Sequence, residues 1–386
     1  MNTTEWLTQL ISFDTTSRNS NLPLIEHVAS WFEQHEIEYA LIPGPSDTKT
    51  NLLATIPTNK GSREGGLVLS GHTDVVPVDG QIWQTDPFTA EEREGKIFGR
   101  GACDMKGFLA VMLALIPEFK VLRLTKPLHF SFTYDEEVGC LGVQYLLDYL
   151  AKSGIQPEGC IVGEPSSMQP IVGYKGRNVF HCQVKGLASH SSLTNKGCNA
   201  IEYASQIINY IRSIADYFRL NGPYDQDFDL PYTTITTNVI SGGTAFNIVP
   251  DNCEFIFEVR HIPEFSLESF RAQIENYIEG EIVPEMRKNY PKATVFLNLS
   301  SSAPGFNTTE SSPLTQLIHR VTGIQKRSKV SYSTEAGLFQ KAQIPTIICG
   351  PGNIEQAHGA DEFVSKEQLI ICERVLRNVV NFYCQN

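Results

Sequence analysis

Helical and strand periodicities alternate through the first third of the chain. Trp6, Leu10 and Ile11, then Ile25, Val28, Ala29 and Phe32 after Pro23, recur at the three- and four-residue spacing of amphipathic helices. Residues 51–56 and 67–69 are short apolar runs that predict strands. Residues 105–119 predict a strongly apolar helix, 128–133 a strand, 143–152 a helix with Gly154 beyond its end, and 160–162 and 170–172 further strands. Strand, helix, strand in this order predicts a mostly parallel sheet covered by helices. Around Gly173-Tyr174-Lys175-Gly176 the grammar changes. Residues 178–184 alternate as a strand, 199–214 form a long helix, 233–240 and 253–259 are strands, and 267–282 is a helix. That β-α-β-β-α order suits a small α+β layer. Residues 330–332, 344–349 and 366–382 then resume the first pattern. The fold class expected is α/β, with residues 1–176 and 291–386 forming one domain and 177–290 an inserted α+β domain.

Composition narrows the partners. At 386 residues the chain exceeds what one core usually supports. A formal charge of -12 argues against a nucleic-acid partner. No stretch approaches the roughly 20 apolar residues of a membrane span, and residues 1–6 lack a basic leader, so no membrane partner and a cytoplasmic location are expected. The nine cysteines are odd in number, form no Cys-x-x-Cys pair and sit partly inside apolar runs, as Cys160, Cys349 and Cys372 do. They read as buried free thiols.

Acids and imidazoles recur at the ends of the expected strands. His72 and Asp74 stand two apart after an apolar run, so both point to one side. Asp104 follows in Gly99-Arg100-Gly101-Ala102-Cys103-Asp104-Met105-Lys106-Gly107. Glu136 and Glu137 close the run that ends at Asp135, Glu164 follows Cys160-Ile161-Val162-Gly163, and His358 lies near the C-terminus. A pair of zinc ions about 3.5–4 Å apart needs roughly three ligands each, with one carboxylate shared, and this set supplies them. Taken singly, each has a plainer reading. His72 with Asp74 can be a strand-end histidine held by an acid, Glu136-Glu137 a solvated turn, and Asp104 the cap of a helix starting near Met105. Crowded carboxylates repel unless a cation intervenes, which favours the metal.

Ser70-Gly71-His72-Thr73-Asp74-Val75-Val76-Pro77, the Gly99 to Gly107 segment, Asp135-Glu136-Glu137-Val138-Gly139 and Gly163-Glu164-Pro165-Ser166, in this order, resemble the co-catalytic dinuclear zinc family of amidohydrolases. The resemblance covers nearly the whole chain. It implies hydrolysis of an N-acyl amino acid with two divalent metal ions, zinc with cobalt as a substitute, in a catalytic domain interrupted by a lid or dimerisation domain. It implies Asp104 as the bridging ligand, His72 and Glu164 completing one metal site, and Glu137 and His358 the other. Asp74 would accept the free N–H of His72. Glu136 would take the proton of the attacking water and return it to the departing amine. His190 matches the family's lid histidine, which reaches the site of a neighbouring subunit in a homodimer. Asn247 and Arg260 match positions that hold the substrate carboxylate, and an arginine fork suits that group. Lys175, near the hinge, is a further candidate. Glu335 either selects a cationic substrate side chain or is a first-turn helix acid. A metal-binding scaffold without activity is the reading outside enzymes, and retention of Glu136, which metal binding does not require, speaks against it.

Overall fold

The computed structural model describes residues 1–385, which divide into two compact units. Among the described residues the first comprises 1–173, 306–329 and 334–385. Numbered in chain order, its strands are β1 (Glu38–Pro43), β2 (Thr50–Ile56), β3 (Leu67–His72), β4 (Glu91–Arg93), β5 (Lys96–Phe98), β6 (Leu128–Thr133), β7 (Gly159–Pro165), β8 (Ile171–Tyr174), β15 (Phe306–Asn307), β16 (Ser328–Val330), β17 (Thr346–Gly350) and β18 (Phe363–Ser365). Its helices are α1 (Thr3–Ile11), α2 (Leu22–Gln34), α3 (Gly107–Lys120), α4 (Leu141–Lys152), α8 (Pro313–Thr322), α9 (Ala336–Lys341) and α10 (Lys366–Cys384). The main sheet runs β1-β2-β6-β3-β7-β17-β8-β15, with β16 beside β8, while β18, β5 and β4 form a small separate sheet.

This sheet is mixed with a parallel centre, as the alternation predicted. β3 lies parallel to β6 and β7, and β7 parallel to β17, while β2 is antiparallel to β1 and β6. Every residue of β2, β3, β6, β7 and β17 is buried, which is why these segments read as continuous apolar runs and not as alternation. α3 is strongly apolar because it too is largely enclosed, with Phe108 to Leu113, Leu115, Ile116 and Phe119 buried in a core shared with α1 and α10. Phe32 of α2 meets the rings of Phe130 and Phe132 on β6.

The second unit comprises residues 174–305 and 330–333. β9 (Gly176–Lys185), β11 (Thr234–Gly242), β13 (Asn252–His261) and β14 (Thr294–Ala303) form an antiparallel sheet in the order β11-β13-β9-β14; β10 (Ser189–His190) pairs β12 (Ile248–Val249). α5 (Ala200–Asn221), α6 (Leu267–Tyr277) and α7 (Val283–Asn289) complete it. The inward residues of β9 (Phe180, Cys182, Val184) and β13 (Phe255, Phe257, Val259) share a core with Ile207 and Ile211 of α5 and Ile274 of α6. The rings of Phe180 and Phe257 stack at 5.0 Å.

The second unit differs from the expected insert at three places, the first being its start at residue 174 and not 177. The inserted unit runs past residue 290 to 305, because β14 pairs with β9 and supplies a fourth strand that its serine-rich second half disguised. Residues 330–333 group with the inserted unit and not with the first, so the strand expected at 330–332 is instead the edge of β16, ending at Val330. All nine cysteines are free and buried, as their apolar settings predicted. No helix among the described residues is long and apolar enough to cross a membrane.

Candidate metal centre

The parallel strands deliver their carboxyl ends to one place, where sites on such sheets gather. His72 is the last residue of β3, Glu164 lies near the end of β7, and Glu136 and Glu137 follow β6 after a turn in which Asp135 takes φ +53°. Gly163 lets the chain pass under α3: a Cβ there would lie 2.0 Å from the Phe108 ring. Asp104 sits in a wide turn entered through Gly101 at φ +80°. The helix itself begins only at Gly107 with no side-chain cap, so Asp104 is not its cap and its carboxylate is free to face the strands.

The side chains converge. His72 Nε2 is 3.0 Å from Asp104 Oδ1 and 3.8 Å from Glu164 Oε1. His358 Nε2 is 3.3 Å from Asp104 Oδ2 and 3.2 Å from Glu137 Oε2. One carboxylate, Asp104, thus spans the two imidazoles with its two oxygens. Ligand atoms of His72, Glu136 and Glu164 lie within 4.8 Å of one another, as do those of His72, Asp104 and Glu137. His72, Asp104 and Glu164 are 1%, 5% and 4% exposed.

Four carboxylates against two imidazoles make an excess of buried negative charge. Burial pushes Glu164 and Glu136 well above the usual carboxyl range, and the neighbouring acids add to it. Burial opposes a charged His72, yet Asp104, Glu164 and Asp74 outweigh it and raise the imidazole well above its ordinary value. Hydrogen bonds to Asp104 and then Glu137 raise His358 to about 10. Both imidazoles are driven to hold protons that a divalent cation would replace. Glu164 Oε1 is buried without a hydrogen-bond partner, a lone pair aimed into the cluster. The donor set, oxygen and imidazole nitrogen with a shared carboxylate, fits a pair of divalent ions.

Around the cluster, Asp74 does more than was expected and does it differently. His72 Nδ1 lies 2.8 Å from the backbone oxygen of Asp74, not on its carboxylate, which is 3.6 Å away. The Asp74 carboxylate instead accepts the Ser17 hydroxyl at 2.7 Å and the backbone N–H groups of Glu136 and Glu137 at 3.1 and 3.3 Å. It therefore fixes the segment carrying the two glutamates. Lys49 pairs with Asp135 and reaches the Ser17 carbonyl, tying down the same turn. The Cys140 thiol donates to Glu136 Oε1 at 3.3 Å.

Glu335 stands at the N-terminal end of α9. It is 1% exposed, so it does not present a carboxylate to solvent for a cationic side chain, and it makes no helix-cap bond either. Both its oxygens lack hydrogen-bond partners, and burial pushes it up to about 7, with the nearby Thr133 hydroxyl and His72 acting against that rise. In the second unit, Ser191 N donates to the Asn247 carbonyl at 3.0 Å, so the β10–β12 pair holds His190 and Asn247 side by side, both exposed. The Arg260 fork is engaged by Glu258 at 3.1 Å and by the Ser331 carbonyl at 3.0 Å. Lys175 is buried, donates to the Tyr232 carbonyl at 2.7 Å, and is lowered to about 8 by burial.

One residue escaped sequence reasoning. No motif singles out Glu362, yet its carboxylate accepts the backbone N–H of Asp104 at 3.0 Å. Its only signal was an acid close behind His358.

Known proteins bear on this centre. Residues 68–381 match the model of "Peptidase family M20/M25/M40". Four relatives named acetylornithine deacetylase are 33–36% identical; that of Pasteurella multocida (strain Pm70) is 36% identical over 97% of this chain and 94% of its own. Among solved structures, aminopeptidase PepT from Bacillus cereus superposes with a TM-score of 0.78 at 18% identity, covering 98% of this chain and 97% of its own. The YXEP protein of Bacillus subtilis, described as a dinuclear metal binding peptidase, does so at 0.67 and 16%, covering 98% of each. The family match takes in every strand end of the centre, and with the full-length relatives it establishes that the chain belongs to peptidase family M20/M25/M40.

Proposed function

We propose that this metal-dependent amide hydrolase removes the acetyl group of N2-acetyl-L-ornithine, giving L-ornithine and acetate, a step toward arginine. The observation that carries the substrate is the full-length likeness to four proteins named acetylornithine deacetylase. The sequence features Ser333-Thr334-Glu335-Ala336-Gly337, Gly350-Pro351-Gly352 before His358, and Glu285-Met286-Arg287 point the same way within the family. Desuccinylation of succinyl-diaminopimelate and broader N-acyl amino acid or dipeptide hydrolysis are the alternatives, since the chemical step is common and selectivity lies in pocket shape.

His72, Asp104 and Glu164 would hold one divalent ion, and Asp104, Glu137 and His358 the other. The ions, zinc with cobalt able to substitute, supply Lewis acidity toward the amide carbonyl and lower the pKa of water. Glu136 is the general base and acid: it accepts a proton from the attacking water and hands it to the departing amine. Its burial supports that role, because it pushes the carboxyl well above the usual carboxylate range and so favours uptake of a proton. Asp74 holds the Glu136 amide, so the base has a fixed reach. His190 would donate to the oxyanion of a partner subunit's substrate, and Asn247 and Arg260 would hold the substrate carboxylate, Arg260 by exchanging its Glu258 contact. The homodimer would form through the inserted unit, where β11 is an edge strand of the sheet and carries exposed Val239 and Ile240.

The protein loaded with zinc or cobalt, offered acetylornithine, succinyl-diaminopimelate and acetylmethionine side by side, should turn over acetylornithine with the highest kcat/KM. Faster hydrolysis of the succinyl substrate would leave the family intact and refute the substrate.

A further inference from the structure

We infer that Arg100 and Glu362 form a single clamp that positions Asp104 and His358 relative to each other, one acting on each side of the metal pair. This rests on the metal-centre reading. The two are among the most buried charged groups in the first unit, Arg100 at 0% and Glu362 at 1% exposure, and they meet at 2.6 Å. A buried ion pair seldom stabilises a fold more than apolar side chains of the same volume would. What this pair supplies is geometry.

Glu362 spends both oxygens on the Asp104 turn. Oε1 accepts the backbone N–H groups of Cys103 and Asp104 at 2.9 and 3.0 Å, and Oε2 accepts that of Gly101 at 3.1 Å together with Arg100 Nη1. The wide turn before α3 has backbone amides outside regular helix pairing, and one carboxylate gathers three of them. Arg100 works on the opposite loop. Nη1 donates to the Gly359 carbonyl at 3.2 Å and Nη2 to Gln81 Oε1 at 2.6 Å, while Gln81 Nε2 donates to the His358 carbonyl at 2.8 Å. The guanidinium lies 5.0 Å from the Trp83 ring, whose N–H also donates to Gln81 Oε1 at 3.0 Å. His358 stands at φ +62° in a loop outside the strands and helices, and these side-chain bonds hold its backbone carbonyl and that of Gly359. The β5–β18 ladder brings the two loops near one another but ends at Phe363. Beyond it the Gly99 N–H donates to the Glu362 carbonyl and Cys103 Sγ reaches the Asn353 carbonyl, and the clamp adds a charged connection from the Asp104 turn through Glu362, Arg100 and Gln81 to the His358 backbone.

Arg100 and Glu362 are therefore positioning residues: they touch no substrate and hold two ligands at a fixed separation. Zinc titration calorimetry of chelator-treated full-length protein, with kcat, KM, melting temperature and the visible spectrum of the cobalt form, tests this. The unmutated protein should bind two equivalents; if it does not, the metal-centre reading fails first. Glu362→Gln and Arg100→Lys should weaken zinc binding about 10–100-fold and lower kcat with KM changed less than about twofold. Glu362→Asp should restore part of the loss. Gln81→Ala, in a half-buried surface loop, removes the bond to His358 and the acceptor of Arg100 Nη2 and the Trp83 N–H while leaving the Arg100–Glu362 pair in place, so it should weaken one of the two binding steps and shift the cobalt spectrum. If Glu362→Gln does not fold, Gln81→Ala and Arg100→Lys decide. Two equivalents bound with unaltered affinity and an unaltered cobalt spectrum in the folded variants, whatever their melting temperature, would overturn the clamp while leaving the metal centre standing.

Discussion

Single residues separate metal binding from chemistry. Glu136→Gln removes the proton acceptor but no ligand proposed for either ion, so turnover should fall at least 10²–10⁴-fold with metal content unchanged. His72→Ala, Asp104→Ala and His358→Ala should each lose metal and activity together, measured by elemental analysis beside the rate. A fully active Glu136→Gln would end the mechanism. Glu335 gives a second test. Its folded pKa of about 7 exceeds the 4.5 of a free glutamate, so between those values the native state binds more protons than the unfolded chain. Stability from this group is complete below pH 4.5 and is lost as pH rises through 7, by up to about 3 kcal/mol at 1.36 kcal/mol per unit. Glu335→Gln removes that dependence: in chelator-treated protein, urea unfolding should show a larger gain over the parent at pH 8 than at pH 5.5. Because the side chain is buried, the substitution should change kcat/KM for acetylornithine and acetylmethionine by the same factor. A selective loss on acetylornithine would restore the cation-selecting role.

At the scale of elements, strands buried on both sides announced themselves and edges did not. Residues 128–133 matched β6 to the residue, since a run of Leu128, Phe130 and Phe132 closed by polar Thr133 has no other economical reading. The candidate ligands His72 and Glu164 stood out for the same reason: an acid or imidazole at the end of a buried run is conspicuous. β14 was missed because Asn298, Ser300, Ser301 and Ser302 hide the alternation of Val295, Leu297 and Leu299. Glu362 was illegible because its role is to receive backbone N–H groups contributed some 260 residues earlier, and no local pattern encodes that. The two roles of Glu335 stayed open in the sequence because position along the chain does not reveal which way a loop carries its side chain. The inserted sheet has its own core, which makes it separately testable. Phe257→Ala empties the stack with Phe180 and should cost about 3–5 kcal/mol. Calorimetry should show an early transition for the second unit while zinc stoichiometry stays at the parent value, because every proposed ligand lies in the first.

For the molecule as a whole, the homodimer is the decisive question. β11 leaves one side of its backbone unpaired among the described residues, and Val239 and Ile240 are 54% and 56% exposed. Val239→Lys with Ile240→Lys should convert a dimer to a monomer in sedimentation, and activity should fall if His190 serves a partner's centre. Mixing inactive Glu136→Gln with inactive His190→Ala chains should then recover activity, as each hybrid has one intact centre. A dead mixture with proven subunit exchange would confine His190 to its own chain.

The sheet order carries one more consequence, for synthesis. β17 lies between β7 and β8 although it is translated from Thr346 onward, long after β7 ends at Pro165. A nascent chain therefore emerges with the inner flank of β7 bare, an apolar ribbon of unsatisfied amides and carbonyls, throughout the making of the inserted unit. Release of the C-terminal segment from the ribosome, not growth of the N-terminal half, is the event that closes the sheet, and transcripts truncated before Thr346 should yield aggregates and not partial enzymes.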